Sequence, residues 1–209
     1  MPHIFCIANQ KGGVGKTTTT VNLAAGLAQI GQRVLIIDLD PQGNATMGSG
    51  VDKRTLTQSV YDVLLEDATI AEARVRSPKG SYDVIGANRE LAGAEIELVT
   101  LERRDRRLKT ALEAAAADYD FVLIDCPPSL SLLTLNGLTC AHGVIVPMQC
   151  EYFALEGLTD LVNTVKQVHA NLNRELTLIG LLRVMFDPRI TLQQQVSEQL
   201  KDHFGDKVF

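Results

Sequence analysis

The chain has 209 residues, which is enough for one α/β domain with a full core and too few for two domains of ordinary size. With 45% hydrophobic and 22% charged residues its composition is that of a globular protein, and its apolar runs fall short of the ~18 residues that a membrane helix needs. The formal net charge of −5 argues against a surface coated with basic residues, the usual sign of a nucleic-acid binder, but allows a local basic patch.

Strand-like and helix-like patterns alternate along the chain. Apolar runs predict strands over residues 3–8, 33–38, 82–85, 119–125, 143–148 and 176–185. Helical spacing predicts helices over residues 16–30, 56–65, 89–117 (with a break), 130–140, 154–172 and 191–204. Strands separated by helices form parallel pairs through crossover connections. We therefore predict a single three-layer α/β domain over residues 1–209, with a mostly parallel, twisted sheet and helices on both faces.

The four cysteines lie far apart and form no CxxC pair. The start, MPHIFCIANQ, lacks the basic segment and long apolar stretch of a secretory signal. We therefore expect reduced, mostly buried thiols and a cytoplasmic protein.

One short stretch, ERRDRRLK at residues 102–109, has five positive and two negative side chains. A local charge of +3 is compatible with a nucleic-acid contact. The other interpretation, which we favour, is a solvated helix face.

The stretch NQKGGVGKTTTT at residues 9–20 connects the first strand to the first helix, the context of a phosphate-binding loop. Gly12, Gly13 and Gly15 allow the backbone to turn sharply and to present its N–H groups to phosphate oxygens. The start of the helix adds the positive end of its dipole. Lys16 is then expected to reach the β- and γ-phosphates of a nucleotide, and the Thr17 hydroxyl to bind Mg²⁺.

Gln10 stands where the usual phosphate loop has its first glycine, and the loop instead has the form K-G-G-x-G-K-T. This resembles the deviant Walker A motif of the ParA/MinD family of ATPases. The resemblance implies that Lys11 reaches across a dimer interface to the phosphates of the partner's ATP. A cation placed there would stabilise the charge that develops on the transferred phosphoryl group. The alternative is that Lys11 is an ordinary solvated lysine.

Two further stretches, DLDPQGNAT and DCPPSL, follow the second strand and the strand at 119–125. Carboxylates at the carboxyl ends of adjacent parallel strands face the same crevice as the phosphate loop. By resemblance to the ParA switch regions, Asp40 orients or activates the attacking water, and Asp125 is the Walker B acid that supports Mg²⁺. Asp38 is interpreted either as a helper behind these groups or as a carboxylate that caps a loop.

The resemblance assigns a residue set to each role. The expected catalytic residues are Lys11, Lys16 and Asp40; the ATP-binding residues are Lys11, Gly12, Gly13, Val14, Gly15, Lys16, Thr17, Thr18 and Asp125; and the Mg²⁺ site comprises Thr17, Asp40 and Asp125.

Within the family, DLDPQGNAT and FDPRITLQQQVSEQL are similar to the chromosomal ParA/Soj proteins. The resemblance implies an ATP-dependent homodimer that binds nonspecific double-stranded DNA, a nucleoid-associated location and release by a ParB-like partner that stimulates slow ATP hydrolysis. Two alternatives stay open: a MinD-like positioning ATPase, although no amphipathic membrane helix is apparent and no membrane contact is expected, and a metabolic ATP-dependent enzyme of the same superfamily, such as a ligase.

Family members normally continue beyond the stretch that corresponds to GDKVF, and we expect the chain to be C-terminally truncated relative to them. Arg189 falls where the family carries a DNA-contacting arginine. The other interpretation of Arg189 is an ion pair with Asp187 or Glu198 at the start of a helix.

Overall fold

A seven-stranded sheet forms the centre of the protein. The computed structural model describes residues 2–152 and 154–209, with the side chains at positions 116, 154 and 156 outside that description. The strands are β1 (His3–Ile7), β2 (Val34–Asp38), β3 (Arg74–Arg76), β4 (Asp83–Ile85), β5 (Phe121–Asp125), β6 (Gly143–Met148) and β7 (Thr177–Arg183). Their order across the sheet is β3-β4-β2-β5-β1-β6-β7, and every neighbouring pair is parallel except β3 with β4.

Helices cover both faces of this sheet. They are α1 (Lys16–Gln29), α2 (Asn44–Gly48), α3 (Val60–Leu65), α4 (Ile70–Ala73), α5 (Leu91–Leu98), α6 (Arg107–Ala115), α7 (Leu132–Cys140), α8 (Ala154–Asn171) and α9 (Thr191–Phe204), with single 3₁₀ turns at Ala116–Asp118 and Gly205–Lys207. One apolar cluster joins α1 and α2 to the sheet, and a larger one joins the opposite face to α3 through α9. The predicted α/β architecture is therefore confirmed.

Central strands are buried on both faces, which explains their unbroken apolar sequences. All five residues of β2 are buried, and four of the five in β5 are. At roughly 1.5–3 kcal/mol for each large apolar side chain removed from water, this layer is the main source of stability. All four cysteines are buried free thiols, as the sequence predicts.

Several element boundaries differ from the sequence predictions, and three elements are additional. The strand β3 has the sequence RVR, and all three residues are exposed at the sheet edge, so no apolar run predicts it. The helices α2 and α4 have only five and four residues, too few for a helical period to show. The helix α4 nevertheless carries a recognisable start, because Thr69 and Glu72 form a capping box.

The basic stretch at 102–109 is not the helix face that the sequence suggests. Turns occupy residues 102–105, and helix α6 begins only at Arg107. Three of the arginines are used within the protein: Arg104 donates to the carbonyl of Val99, Arg106 donates to the carbonyl of Leu172, and Arg107 forms a salt bridge with Glu66 at 3.3 Å. The guanidinium groups therefore hold the turns at residues 102–105 against neighbouring parts of the protein.

No helix in the described ranges is both long and apolar enough to cross a membrane.

Candidate functional site: a phosphate loop with two lysines

The loop between β1 and α1 has the backbone geometry of a phosphate cradle. Gly13 and Gly15 have φ angles of 72° and 81°, in the left-handed region that side chains disfavour. A Cβ atom added to Gly12 or Gly13 would meet no atom within 4 Å, so the loop faces open space. In the described part of the chain, the backbone N–H groups of residues 12–18 donate to no protein acceptor. An anion is the natural partner of such a group of donors beside a helix start.

Lys16 lies under this loop and is buried to 8% exposure. Its Nζ donates to the carbonyl oxygen of Lys11 at 3.0 Å, so the ammonium group crosses the base of the loop. Burial lowers the pKa of Lys16, and the carboxylates of Asp125 and Asp40 act in the opposite direction. A poorly solvated cation beside free N–H groups fits the phosphates of a nucleotide. Of the remaining predicted loop residues, Val14 is buried beneath the loop and Thr18 is exposed on the first turn of α1.

Asp125, at the end of β5, is held by two hydroxyl groups of α1. Thr17 Oγ1 donates to one carboxylate oxygen at 2.6 Å and Thr20 Oγ1 to the other at 3.2 Å. Burial raises the pKa of Asp125 to about 6, against the effect of both hydroxyl bonds. Thr20 is not among the site residues expected from the sequence. Its position, three residues after Thr17 on the same helix face, is the signal that would have found it.

Asp38 and Asp125 are paired residues of the neighbouring strands β2 and β5. Asp38 is fully buried and accepts hydrogen bonds from the N–H and the hydroxyl of Thr46, at 2.8 and 2.7 Å, and from the N–H of Asp40 at 3.1 Å. These are the contacts of a loop cap. Burial, together with the charge of Asp125, raises the pKa of Asp38 to about 7.

Asp40 lies just beyond β2, partly exposed, and accepts a hydrogen bond from the N–H of Gln42 at 2.9 Å. Its charge acts on both Lys16 and Asp125, which places it beside the mouth of the phosphate loop. One oxygen of Asp40 therefore stabilises the turn that follows β2.

Lys11 points away from its own loop. Its Nζ forms a salt bridge with Glu151 at 2.5 Å, and both side chains are nearly half exposed. Its backbone N–H donates to Asn9 Oδ1, and this bond fixes the turn in which Lys11 lies. The sequence gives no sign of Glu151 as a partner, because 140 residues separate the two.

The residues expected to form the Mg²⁺ site lie together, but they make no complete cage. Among the described residues, no group of three or more His, Cys, Asp and Glu side chains is arranged to hold a metal ion. One or two carboxylates with a hydroxyl suit Mg²⁺, which takes its remaining ligands from water and substrate phosphates. Thr17 and Asp125 are in contact, and Asp40 is nearby.

Arg189 lies apart from this group, in the turn before α9. Its guanidinium makes a bidentate pair with Asp187, at 2.9 and 2.7 Å, and is largely exposed. The pairing with Asp187 that the sequence offered as an alternative is thus present.

Comparison with known proteins places this arrangement in a family. A family profile described as an AAA domain matches residues 2–178. The chain is 54% identical to the sporulation initiation inhibitor protein Soj of Bacillus subtilis, with 100% of this chain and 83% of that protein covered. It is 50% identical to the chromosome partitioning protein ParA of Caulobacter vibrioides, with 99% and 78% covered. The chain belongs to the ParA/Soj family of partitioning ATPases.

The fold of this ParA/Soj chain is also shared by solved structures. A crystal structure of cobyrinic acid a,c-diamide synthase from Mycobacterium smegmatis, with bound ATP analogue and magnesium, has a TM-score of 0.93 and 44% identity. The alignment covers 98% of this chain and 84% of that one. The family relationship that the deviant Walker A loop indicates is thus confirmed.

Proposed function

We propose that this ParA/Soj chain is an ATP-dependent switch for DNA partition. In the proposal two protomers enclose two ATP molecules with Mg²⁺, the dimer binds nonspecific double-stranded DNA in the nucleoid, and hydrolysis releases it. The observation that carries the proposal is the opposite direction of two lysines on one loop. Lys16 is buried beneath the loop, whereas Lys11 stands at its exposed rim with its ammonium group on Glu151.

The phosphate loop and the side chains packed beneath it support the proposed nucleotide binding. The free N–H groups of residues 12–18 and the ammonium of Lys16 would hold the phosphates, and Thr17 would hold Mg²⁺ with Asp125 behind it. When bound, Mg²⁺ neutralises charge on the β- and γ-phosphates. Asp40, beside the mouth of the loop, would orient the attacking water through its carboxylate.

The exposed lysine at the rim of the loop, Lys11, supports the proposed dimerisation. Lys11 lies at the exposed rim, and on leaving Glu151 its ammonium group would enter the site of a second protomer. There its charge would stabilise the transferred phosphoryl group, as an arginine finger does. ATP would then form part of the dimer interface, and its hydrolysis would remove the reason for the two protomers to stay together.

DNA binding in an acidic chain requires cooperation between protomers. Phosphate contacts made by residues such as Arg189 are individually weak and sensitive to salt. Two protomers joined by ATP would combine their contacts, so nucleotide state would control DNA binding through avidity. A ParB-like partner that accelerates hydrolysis would then set the lifetime of the DNA-bound dimer in the cytoplasm.

Replacing each lysine separately tests the proposal. Lys16→Ala should abolish ATP binding, because it removes the cation beneath the phosphates. Lys11→Ala should leave ATP binding to the monomer measurable by calorimetry while removing ATP-dependent dimerisation and the hydrolysis coupled to it, followed by light scattering and phosphate release. Lys79→Ala, an exposed lysine elsewhere, is the control. Normal dimerisation and hydrolysis by Lys11→Ala would refute the role of Lys11 in trans.

A second candidate function is a metabolic ATP-dependent ligase. The 44% identity to a protein named as a diamide synthase favours it. A ligase would show ATP turnover that depends on a carboxylic acid and an amide donor and is indifferent to DNA. The partition switch predicts the reverse dependence in the same phosphate-release assay.

A further inference from the structure

A large groove lies on the face away from α1, between α8, α9 and β7. Its volume is about 930 Å³. The floor is apolar, with Val162 and Val165 from α8, Leu178 from β7, and Leu200 and Phe204 from α9. The phosphate loop, Lys11, Asp40 and Asp125 do not line it, so the groove is separate from the nucleotide site.

The apolar positions of α8 have the spacing of a helix-binding seam. Successive apolar residues are three, four and three positions apart, at Leu155, Leu158, Val162 and Val165. Leu158 and Val165 are buried against the sheet, while Leu155 and Val162 stay partly exposed. From Leu155 to the last groove residue of α8, His169, the helix rises about 21 Å, which is the length of about four helical turns.

The rim of the groove is basic although the chain as a whole carries a charge of −5. Lys166 and His169 of α8 lie on one side, and His203 of α9 and Lys207 on the other. Among the side chains described, none that lines the groove is acidic, and neither Lys166 nor Lys207 forms a salt bridge. The ammonium of Lys207 donates to the backbone carbonyl of Leu178 at 3.0 Å, which holds this charge at the edge of the floor.

We propose that this groove binds an acidic amphipathic helix of a partner protein. Apolar side chains of the helix at i, i+3, i+4 and i+7 would cover Leu155, Val162 and Phe204, and flanking carboxylates would meet the basic rim. Charge complementarity of this kind selects partners and directs encounter. The same charges oppose a basic segment. The apolar floor of the groove favours an amphipathic helix over a nucleic acid, whose phosphates would meet only the rim.

The probe is a fluorescein-labelled peptide of about four turns with leucines on one face and glutamates beside them. A matched peptide carries lysine in place of every glutamate, and circular dichroism establishes that the two are equally helical. Fluorescence anisotropy in the absence of nucleotide measures binding, so the outcome is independent of the proposed switch. We expect the acidic peptide to bind at least about tenfold more tightly than the basic one, because like charges at the rim oppose the latter.

Two charge reversals locate the site. Lys166→Glu should weaken binding of the acidic peptide about tenfold, whereas Lys201→Glu, an exposed lysine of α9 outside the groove, should change it less than about twofold. Hydrogen exchange should show the peptide protecting α8 and α9. Equal binding of the two peptides, equal effects of the two reversals, or protection elsewhere would each overturn the proposal. Concentration-dependent self-association that Lys166→Glu abolishes would assign the groove to a second copy of the chain and would overturn it as well.

Discussion

At the scale of single residues, the salt bridge between Lys11 and Glu151 competes with the proposed role of Lys11 in a dimer. A half-exposed pair of this kind contributes up to about 1 kcal/mol. That interaction has to break before Lys11 can reach the nucleotide of a second protomer. In the free protein, the pairing of Lys11 with Glu151 therefore slightly opposes the proposed dimerisation.

Glu151→Gln should strengthen ATP-dependent dimerisation, because it releases Lys11 without altering its charge. Dimerisation breaks two such pairs, one in each protomer, so we expect the protein concentration at half-dimerisation to fall up to about thirtyfold, measured by analytical ultracentrifugation with a nonhydrolysable ATP analogue. Asp52→Asn, which breaks the exposed pair with Arg54, is the matched control and should leave the midpoint unchanged. A weaker dimer in Glu151→Gln would show instead that Glu151 itself contributes to the interface.

The buried Asp38 predicts a specific dependence of stability on pH. Burial and the charge of Asp125 raise its pKa from 3.8 to about 7 in the folded protein. Between about pH 4 and pH 7 the folded protein thus keeps a proton that the unfolded chain has lost, so the free energy of unfolding falls as pH rises through this window. Asp125, with a pKa of about 6, acts in the same direction.

Asp38→Asn should flatten this dependence, because an amide does not titrate. The variant loses stability at every pH, since its NH₂ group meets N–H donors that the carboxylate accepted, but its slope with pH should be smaller than that of the parent protein. Urea unfolding at several pH values measures the slope. Asp202→Asn, on the exposed face of α9, is the control and should keep the parent slope. Parallel curves for Asp38→Asn and the parent protein would contradict the assignment.

At the scale of elements, the sequence predicts the strands and helices that carry the site, and the physical reason is burial. The strands β1, β2 and β5 are apolar on both faces, so their positions and the residues at their ends are readable. The pairing of Asp38 with Asp125 requires β2 and β5 to be neighbours, and 82 residues lie between the end of β2 and the start of β5. The adjacency of these two strands depends on long-range packing, and so does the contact of Lys11 with Glu151. No local sequence pattern predicts either of them.

The short helix α2 supplies an element-scale prediction through the glycine before it. Gly43 has a φ angle of 61°, and a Cβ there would lie 2.5 Å from the carbonyl oxygen of Ala87 and 2.8 Å from Lys53 Cδ. Gly31, after α1, has a φ angle of 85° but meets nothing within 4 Å. The two glycines share a left-handed backbone and differ in the space around them.

Gly31→Ala should cost about 1 kcal/mol, the ordinary penalty of a left-handed conformation, and Gly43→Ala should cost several times that because the backbone at Ala87 has to shift. Denaturant unfolding measures both. Because α2 carries the Thr46 that holds Asp38, Gly43→Ala should also weaken ATP binding, and Gly31→Ala should not. Equal losses of stability would mean that Ala87 moves aside without cost.

At the scale of the whole molecule, the order of the strands brings separate parts of the chain to one edge. The phosphate loop follows β1, Asp125 is the last residue of the neighbouring strand β5, and β6 on the other side leads to Glu151. Beyond β7, Val184 lies 3.7 Å from the position of a Cβ on Gly15. The turn that carries Arg189 therefore leaves the sheet beside the phosphate loop, and two protomers joined at their nucleotides would present two copies of this arginine.

This arrangement predicts how DNA binding depends on salt. If Arg189 contacts DNA as proposed, Arg189→Ala would remove one phosphate contact in each protomer and thus two in an ATP dimer, so the slope of log K against log salt concentration should become shallower by about 2. Fluorescence anisotropy with a labelled duplex and a nonhydrolysable ATP analogue, over a series of salt concentrations, measures it. Arg54→Ala is the matched control, since Arg54 makes the same i, i+2 pair with Asp52 as Arg189 makes with Asp187. A slope unchanged by Arg189→Ala would place the DNA surface elsewhere, and a change of about 1 would indicate that a single protomer binds.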